Sequence, residues 1–169
     1  MMSSKNNGEV TDHRHKRNPS DFSPRRILAP VDGSQNSKRS LEVALRIAQT
    51  YASSLDIISV VPIRRIAVES TLGVGASPSY YQYAEEEAKR TIDEALAFAK
   101  DKGGYSELKG ETIRGSESIV EAIVEYAKKV NVDLIVIGTR GLGGFKRMLQ
   151  GSVSSGVVTH APCQVLVVR

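Results

Sequence analysis

Short runs of apolar residues alternate with segments of helical periodicity along most of this chain. Five runs predict β-strands, because they are short, rich in β-branched residues and bounded by glycine, proline or polar residues. The interior runs are apolar on both faces, whereas the third run alternates small or apolar residues with charged ones, as an edge strand does. The five runs are Ile27–Val31, Leu55–Val61, Leu108–Ile113, Leu134–Ile137 and Val165–Val168.

Between these runs, apolar residues recur every three or four positions, which predicts four helices. The order of elements is then β-α-β-α-β-α-β-α-β. Strands that are apolar on both faces are typical of a parallel sheet with helices on either side, so we predict an α/β fold. The helical positions are Leu41, Ala44, Leu45 and Ala48; Ala84, Ala88, Ile92, Ala95 and Ala99; Ile119, Ile123, Tyr126 and Val130; and the short segment Ser152–His160.

Composition favours one globular domain behind a polar tail. The 169 residues are 40% hydrophobic, which fits a single domain over residues 25–169, with a long loop at 62–79. Residues 1–24 are rich in Ser, Asn, Lys, Arg and His and are predicted to be disordered. The single cysteine, Cys163, excludes an internal disulfide, and no apolar run approaches the ~20 residues of a membrane helix. We therefore expect a cytoplasmic protein without membrane contact.

Positive charge is concentrated in the last 36 residues. Basic and acidic residues cancel, 19 against 19, from Met1 to Asp133, whereas residues 134–169 contain four basic residues and no acidic one. This imbalance predicts an anionic ligand for that region. A small anion is favoured over nucleic acid, because nucleic-acid surfaces carry more cations with aromatic residues between them.

Two turns follow predicted strands and would lie together at the carboxyl end of a parallel sheet, where ligands bind. They are Asp32–Ser34 after the first strand and Gly138–Gly141 after the fourth. Glycine also occupies positions 143, 144 and 151, and Ser152 stands at a helix start, a spacing that matches neither common phosphate-loop template. The exposed backbone N–H groups would form a phosphate cradle; the alternative is a flexible loop with an ordinary serine cap.

Asp32 is unexpected beside an anion site, because a carboxylate repels phosphate. Three roles stay open for it: a ligand to Mg²⁺ that also binds phosphate, an acceptor for a ribose hydroxyl, or a cap of the first helix. His160 and Cys163 do not extend the site, since one histidine at a helix end and one cysteine make neither a zinc centre nor a catalytic pair.

The chain from about Arg25 to Arg169 resembles the universal stress protein family, in its ATP-binding branch. The resemblance rests on P-V-D-G-S at Pro30–Ser34, on the spacing G-x2-G-x9-G-S that ends at Gly151 and Ser152, and on H-A-P-C-Q-V-L-V-V at His160–Val168. It implies an open five-stranded parallel sheet of order 3-2-1-4-5, with helices on both faces, of the adenine nucleotide alpha hydrolase-like type. It also implies a homodimeric, stress-linked nucleotide binder.

By position, the resemblance implies a site for ATP, or for AMP or ADP, with Mg²⁺ at Asp32. Pro30 and Val31 would line the adenine pocket, and Val60 or Val61 would pack on the base. Asp32 would contact ribose or metal.

The glycine-rich segment would hold the rest of the nucleotide, with Gly138 and Gly141 facing ribose and phosphate and the start of the last helix binding the phosphates. The complete expected nucleotide-binding set is Pro30, Val31, Asp32, Ser34, Val60, Val61, Ile137, Gly138, Thr139, Arg140, Gly141, Gly143, Gly144, Gly151, Ser152, Val153 and Ser154.

A nucleotide-dependent regulatory switch, with an unidentified protein partner, is the function that we expect. The alternative is a slow Mg²⁺-dependent ATPase or phosphotransferase. Residues 134–169 place no general base near the predicted phosphates, so we expect a binder and not an enzyme. A nucleotide-free interaction module is a third interpretation, against which the glycines at 141 and 151 argue.

The last strand provides the predicted dimer interface, Val165, Leu166, Val167 and Val168. With the family's strand order it is an edge strand without a central charge, and such an edge pairs with another chain unless it is covered. Pairing with its own copy about a two-fold axis would close it; the tail or another protein is the alternative cover.

Overall fold

A computed structural model of the chain describes residues 22–61, 78–103, 105–115, 118–139 and 151–169, with the backbone alone at 78–80. Strands and helices alternate throughout, which confirms the predicted order. They are β1 (Arg26–Pro30), α1 (Gln35–Tyr51), β2 (Ser54–Val61), α2 (Pro78–Lys102), β3 (Glu107–Arg114), α3 (Ile119–Lys129), β4 (Leu134–Gly138), α4 (Ser152–His160) and β5 (Gln164–Val168).

The five strands form one parallel sheet in the order β3-β2-β1-β4-β5. The register places Leu28 of β1 beside Asp56 of β2 and Ile135 of β4. The chain builds the sheet outward from β1 to β3 and then returns to the other side of β1, so the strand order reverses between β1 and β4. The observed order confirms the one that the resemblance implied, and it places the expected ligand crevice at the carboxyl ends of β1 and β4.

Helices cover both faces of the sheet and divide the core into two parts. On one face, α1 and α2 pack on strand residues such as Ile27 and Leu55. On the other face, α3 and α4 pack on residues such as Leu28 and Ile58. Successive residues of a strand point to opposite faces, so a run such as Leu134–Ile137 is buried throughout. Double coverage therefore explains the unbroken apolar runs of the sequence.

Serine side chains cap two of the helices. The Ser37 N–H donates to Ser34 Oγ at 3.2 Å at the start of α1. The Glu121 N–H donates to Ser118 Oγ at 3.0 Å at the start of α3. Each bond satisfies one of the N–H groups that a helix start leaves without an intrahelical partner.

Each predicted strand has at least one boundary that is wrong by one residue, and the end of the predicted loop is wrong by two. β1 ends at Pro30, before Val31, and α2 begins at Pro78, so Pro78 and Ser79 are helical and do not belong to the predicted 62–79 loop. Proline suits the first helical position because no intrahelical partner for its nitrogen is needed there. The rest of that loop, and residues 1–21 of the predicted tail, lie outside the described residues.

The longest helix, α2, has 25 residues and carries charged side chains along most of its length. Within the ranges that the structure describes, no helix combines the length and the apolar character that a membrane span requires.

Candidate functional site at the carboxyl ends of the strands

The turn after β1 leads directly into α1 and is closed by hydrogen bonds. The Val31 N–H donates to the Ile58 carbonyl at 2.8 Å, which ties the end of β1 to β2. The Ser34 N–H donates to Asp32 Oδ1 at 3.0 Å, across Gly33, whose φ of +80° lies in the left-handed region. Asp32 therefore shapes the turn, whereas the role of helix cap, one of the three left open for Asp32, belongs to Ser34.

The end of β4 lies against the first turn of α1. A Cβ atom at Gly138 would stand 2.9 Å from the backbone carbon and oxygen of Asn36, closer than Cβ atoms approach in proteins. The missing side chain is what allows the helix to come this near to the strand. Gly138 thus has a packing role besides the predicted ligand contact. The sequence did not predict the role of Asn36, because a contact with its backbone requires no particular side chain at that position.

Thr139, the next residue, joins three elements through its peptide groups. Its N–H donates to the Val168 carbonyl of β5 at 2.8 Å, and its carbonyl accepts the Gly151 N–H at 2.6 Å. The Ser154 hydroxyl lies 3.3 Å from the same carbonyl and 3.1 Å from the Gly151 carbonyl. With Thr139 buried and Ser154 only 2% exposed, these bonds are shielded from water. The start of α4 is therefore fixed to the end of β4.

The end of β4 contacts the starts of two helices that cover opposite faces of the sheet. Gly138 lies against the first turn of α1, and the Thr139 carbonyl binds the start of α4. Helix N-termini carry partial positive charge and backbone N–H groups without intrahelical partners. Neither helix has an acidic residue in its first turn to offset that charge. This arrangement is suited to an anion.

The start of α4 lacks the serine cap that was one interpretation of its sequence. Its N-cap is Gly151, which makes no side-chain bond to the helix, and Ser152 is its first helical residue and exposed. The Gly151 N–H is already donated to Thr139. N–H donors for a ligand would therefore come from Ser152, Val153 and Ser154, whereas the Ser154 hydroxyl is bonded to backbone carbonyls.

Other predicted site residues contribute apolar surface. Pro30, Val61 and Ile137 are buried, while Val60 and Val153 are half-buried and pack on the core beneath α3 and α4. The remaining predicted residues lie outside the described ranges; they are Arg140, Gly141, Gly143 and Gly144.

The titratable groups after the start of α4 stand away from the crevice. His160 is the last residue of α4, and its Nδ1 lies 2.9 Å from the Gly156 carbonyl oxygen. Burial, with a further contribution from Asp133, raises the pKa of the Cys163 thiol to about 11, so the thiol is uncharged at neutral pH. Neither group is placed as a base or nucleophile for a ligand at the start of α4.

A metal ion at this crevice would depend on the ligand for its coordination. Across the described residues, no group of three His, Cys, Asp or Glu side chains could hold a metal ion. Mg²⁺ commonly binds through one or two carboxylates and the phosphates of its ligand. Asp32 fits that pattern as a single carboxylate, and it does not fit a site formed by protein alone.

Comparison with known proteins identifies relatives over most of the chain. A protein-family model described as the universal stress protein family matches residues 24–169. Universal stress protein YxiE of Bacillus subtilis is 32% identical over 145 residues, which cover 85% of this chain and 98% of that protein. The structure of universal stress protein UspA from Lactobacillus plantarum is similar with a TM-score of 0.71 at 30% identity, covering 85% of this chain and 97% of the other. The universal stress protein from Archaeoglobus fulgidus, solved in complex with dAMP, shares the fold with a TM-score of 0.63 at 22% identity, covering 85% and 97% of the two chains.

Ser154→Ala tests how α4 is held. The change removes the hydroxyl that bonds to the Thr139 and Gly151 carbonyls, and we expect it to lower the free energy of unfolding by about 0.5–1.5 kcal/mol, measured by urea denaturation. The matched control is Ser152→Ala, two residues earlier and exposed, which should change that free energy by less than about 0.5 kcal/mol. Equal losses in the two variants would contradict the holding role of Ser154.

Proposed function

Because the chain belongs to the universal stress protein family, we propose that it binds an adenine nucleotide, ATP foremost and AMP or ADP as well, at the carboxyl ends of β1 and β4. The observation that carries the proposal is that the end of β4, at Gly138 and Thr139, contacts the starts of both α1 and α4. This strand end lies at the topological switch point, and the positive start of α4 is suited to phosphate. The dAMP complex of the Archaeoglobus fulgidus protein indicates that this fold accommodates an adenine nucleotide.

The nucleotide has a defined direction in this proposal. Its phosphates lie at the start of α4, where the Ser152 and Val153 N–H groups have no intrahelical partner. Its ribose lies toward Asp32, whose carboxylate is oriented by the turn before α1. The base lies toward the apolar ends of β1 and β2, at Val31 and Val60. Arg140 and Lys146 would add positive charge beside the phosphates.

Mg²⁺ enters this proposal with the nucleotide. One carboxylate near a triphosphate is repulsive unless a cation lies between them. Asp32 would hold Mg²⁺ together with the nucleotide, and the cation would offset that repulsion. The protein then binds Mg²⁺ with ATP and not in its absence.

The output of nucleotide binding is a change of conformation or partner, in the cytoplasm, and not catalysis. Binding relies on backbone N–H groups, and these neither accept nor deliver the proton of an attacking water. His160, the last residue of α4, is about 12 Å along the helix from Ser152, since eight steps of 1.5 Å separate the two residues. ATP bound here is therefore held and not turned over at an enzymatic rate.

The working form is a homodimer paired through β5. The two edges of the sheet differ in character: β3 carries Lys109, Glu111 and Arg114, whereas β5 carries valine and leucine. Leu166 of β5 is 38% exposed, on a strand that carries no charged side chain. Charged side chains protect an edge from pairing, and their lack on β5 favours pairing with a second copy.

Gly151→Val and Gly141→Val test the nucleotide site. A β-branched side chain at the N-cap of α4, or in the preceding glycine segment, would cover the N–H groups that bind phosphate. We expect each variant to lose ATP affinity by about 100-fold or more in calorimetry with Mg²⁺, while circular dichroism and Tm indicate an intact fold.

The control for this test is Thr159→Val, an exposed position at the far end of the same helix, which should keep the parental affinity. Mass analysis of nucleotide released from the denatured parental protein would identify the ligand independently. Unchanged ATP affinity in both glycine variants would refute the proposed site.

Phosphate release from ATP tests the second function, a slow Mg²⁺-dependent ATPase or phosphotransferase. Without a positioned base we expect turnover well below ~1 s⁻¹, the lower end of ordinary enzyme rates. A steady-state rate at or above that value, retained in a highly purified sample and lost in Asp32→Asn, would make the protein an enzyme.

Leu166→Lys tests the homodimer. Light scattering of the parental protein at micromolar concentration should give about 37 kDa, twice the chain mass of 18.4 kDa. Lysine at 166 would bury a charge in the pairing and shift the protein toward monomer. Glu107→Lys, an exposed change on the opposite edge strand, is the control and should leave the dimer intact. A monomeric mass for the parental protein would overturn the dimer.

A further inference from the structure

A carboxyl group is buried in the middle of the sheet, away from the nucleotide site. Asp56 of β2 is 5% exposed and lies on the face that α3 covers. The register sets it between Leu28 of β1 and Lys109 of β3. Burying a carboxylate costs free energy unless the group is paired with a positive charge or keeps its proton, so the groups around Asp56 determine its state.

One hydroxyl of α3 reaches two carboxyl groups of the sheet. Tyr126 Oη lies 3.4 Å from Asp56 Oδ2 and 3.4 Å from Glu111 Oε2. Glu111 has a second partner, because Lys109 Nζ is 2.7 Å from the same Oε2 atom, and this ammonium also lies 5.8 Å from the centre of the Tyr126 ring. The side chains of β3 and α3 thus meet over Asp56.

The cluster has one phenolic proton for two carboxyl groups, so the two groups cannot both accept a hydrogen bond from Tyr126 at the same time. A phenol has one proton and can donate it to one acceptor at a time. Burial, the largest cause, raises the pKa of Tyr126 to about 12, so the phenol keeps that proton at neutral pH. If the proton goes to Glu111, the Tyr126 oxygen faces Asp56 with a lone pair, and a bond between them requires a proton on Asp56.

The charges around the cluster favour Asp56 over Glu111 as the carboxyl group that takes up a proton. Bonding to Lys109, foremost, lowers the pKa of Glu111, which is half-exposed and has Lys129 nearby as well. Burial, the largest cause, raises the pKa of Asp56, and Glu107 raises it too. Arg26, Lys109 and the hydrogen bond to Tyr126 act in the opposite direction without reversing the shift.

We propose that Asp56, Tyr126 and Glu111 form a proton-dependent latch between α3 and the sheet, in which Asp56 donates its proton to Tyr126 and Tyr126 donates its own to Glu111. Lys109 balances the charge of Glu111. When Asp56 loses its proton to solvent, the latch holds two carboxylates and one phenolic proton. The bond between Asp56 and Tyr126 then competes with the bond to Glu111, and the hold on α3 weakens.

The raised pKa of Asp56 determines the sign of the pH effect. The stabilisation is complete below the usual aspartate pKa of about 3.9 and is lost as the pH rises through the higher value in the folded protein. The contribution of Asp56 to the latch is therefore greater in acid, opposite to a carboxylate in an ordinary ion pair. The contribution of Glu111, whose pKa is lowered, is lost as the pH falls further.

Asp56→Asn tests the latch, because the amide keeps the shape of the neutral acid and can donate N–H to Tyr126 at every pH. The measured quantity is the Tm of this variant minus that of the parental protein, followed across pH. We expect a difference near zero at the lowest pH where both fold reversibly, growing to roughly 2–4 °C in favour of asparagine at mildly alkaline pH. Asp93→Asn, on the exposed face of α2, is the matched control and should show no such growth.

A second measurement keeps the proposal testable if Asp56→Asn does not fold. Carbon NMR of the Asp56 carboxyl in the parental protein, assigned through its own backbone, follows the titration directly. A midpoint above about 3.9 supports the latch. A midpoint at or below that value, or a Tm difference that stays constant or shrinks as the pH rises, would overturn it.

Discussion

Burial of the central strands on both faces is the constraint on which the rest of the structure depends. Because β1, β2 and β4 are packed between two layers of helix, their side chains are mostly apolar, with Asp56 of β2 as a buried exception, and most polar groups lie at the strand ends. Parallel connections bring helix N-termini to the carboxyl ends of the strands. The crevice at Gly138 and Thr139 is therefore a product of the same packing that forms the core.

The site that we propose would act mainly through main-chain groups. Hydrogen bonds from peptide N–H groups and helix ends are oriented by the fold and do not change protonation at physiological pH. They suit a ligand that is to be recognised and retained. Asp32 provides the one acidic or basic side chain among the described residues of the proposed site. Its carboxylate helps to close a turn.

Local patterns in the sequence predicted the elements well, and long-range partners poorly. The run Leu134–Ile137 and the turn at Asp32 were recognisable because burial and turn chemistry act on neighbouring residues. The strand order came from family resemblance, since pairing depends on contacts far apart in the chain. The bonds of the Ser154 hydroxyl and the Asp56–Tyr126 contact were not predicted, because each partner lies in another element.

The hydrogen bond between the Gly151 N–H and the Thr139 carbonyl has a consequence for how sequences of this kind can vary. It joins the residues on either side of an eleven-residue segment, 140–150. The distance between the strand end and the helix start is therefore set by this bond and not by the sequence of the segment. The entropy of closing a chain segment grows only with the logarithm of its length. Insertions and deletions between these two anchors should therefore leave the start of α4 in place, and diversification of this segment would alter what surrounds a ligand without moving its anchoring point.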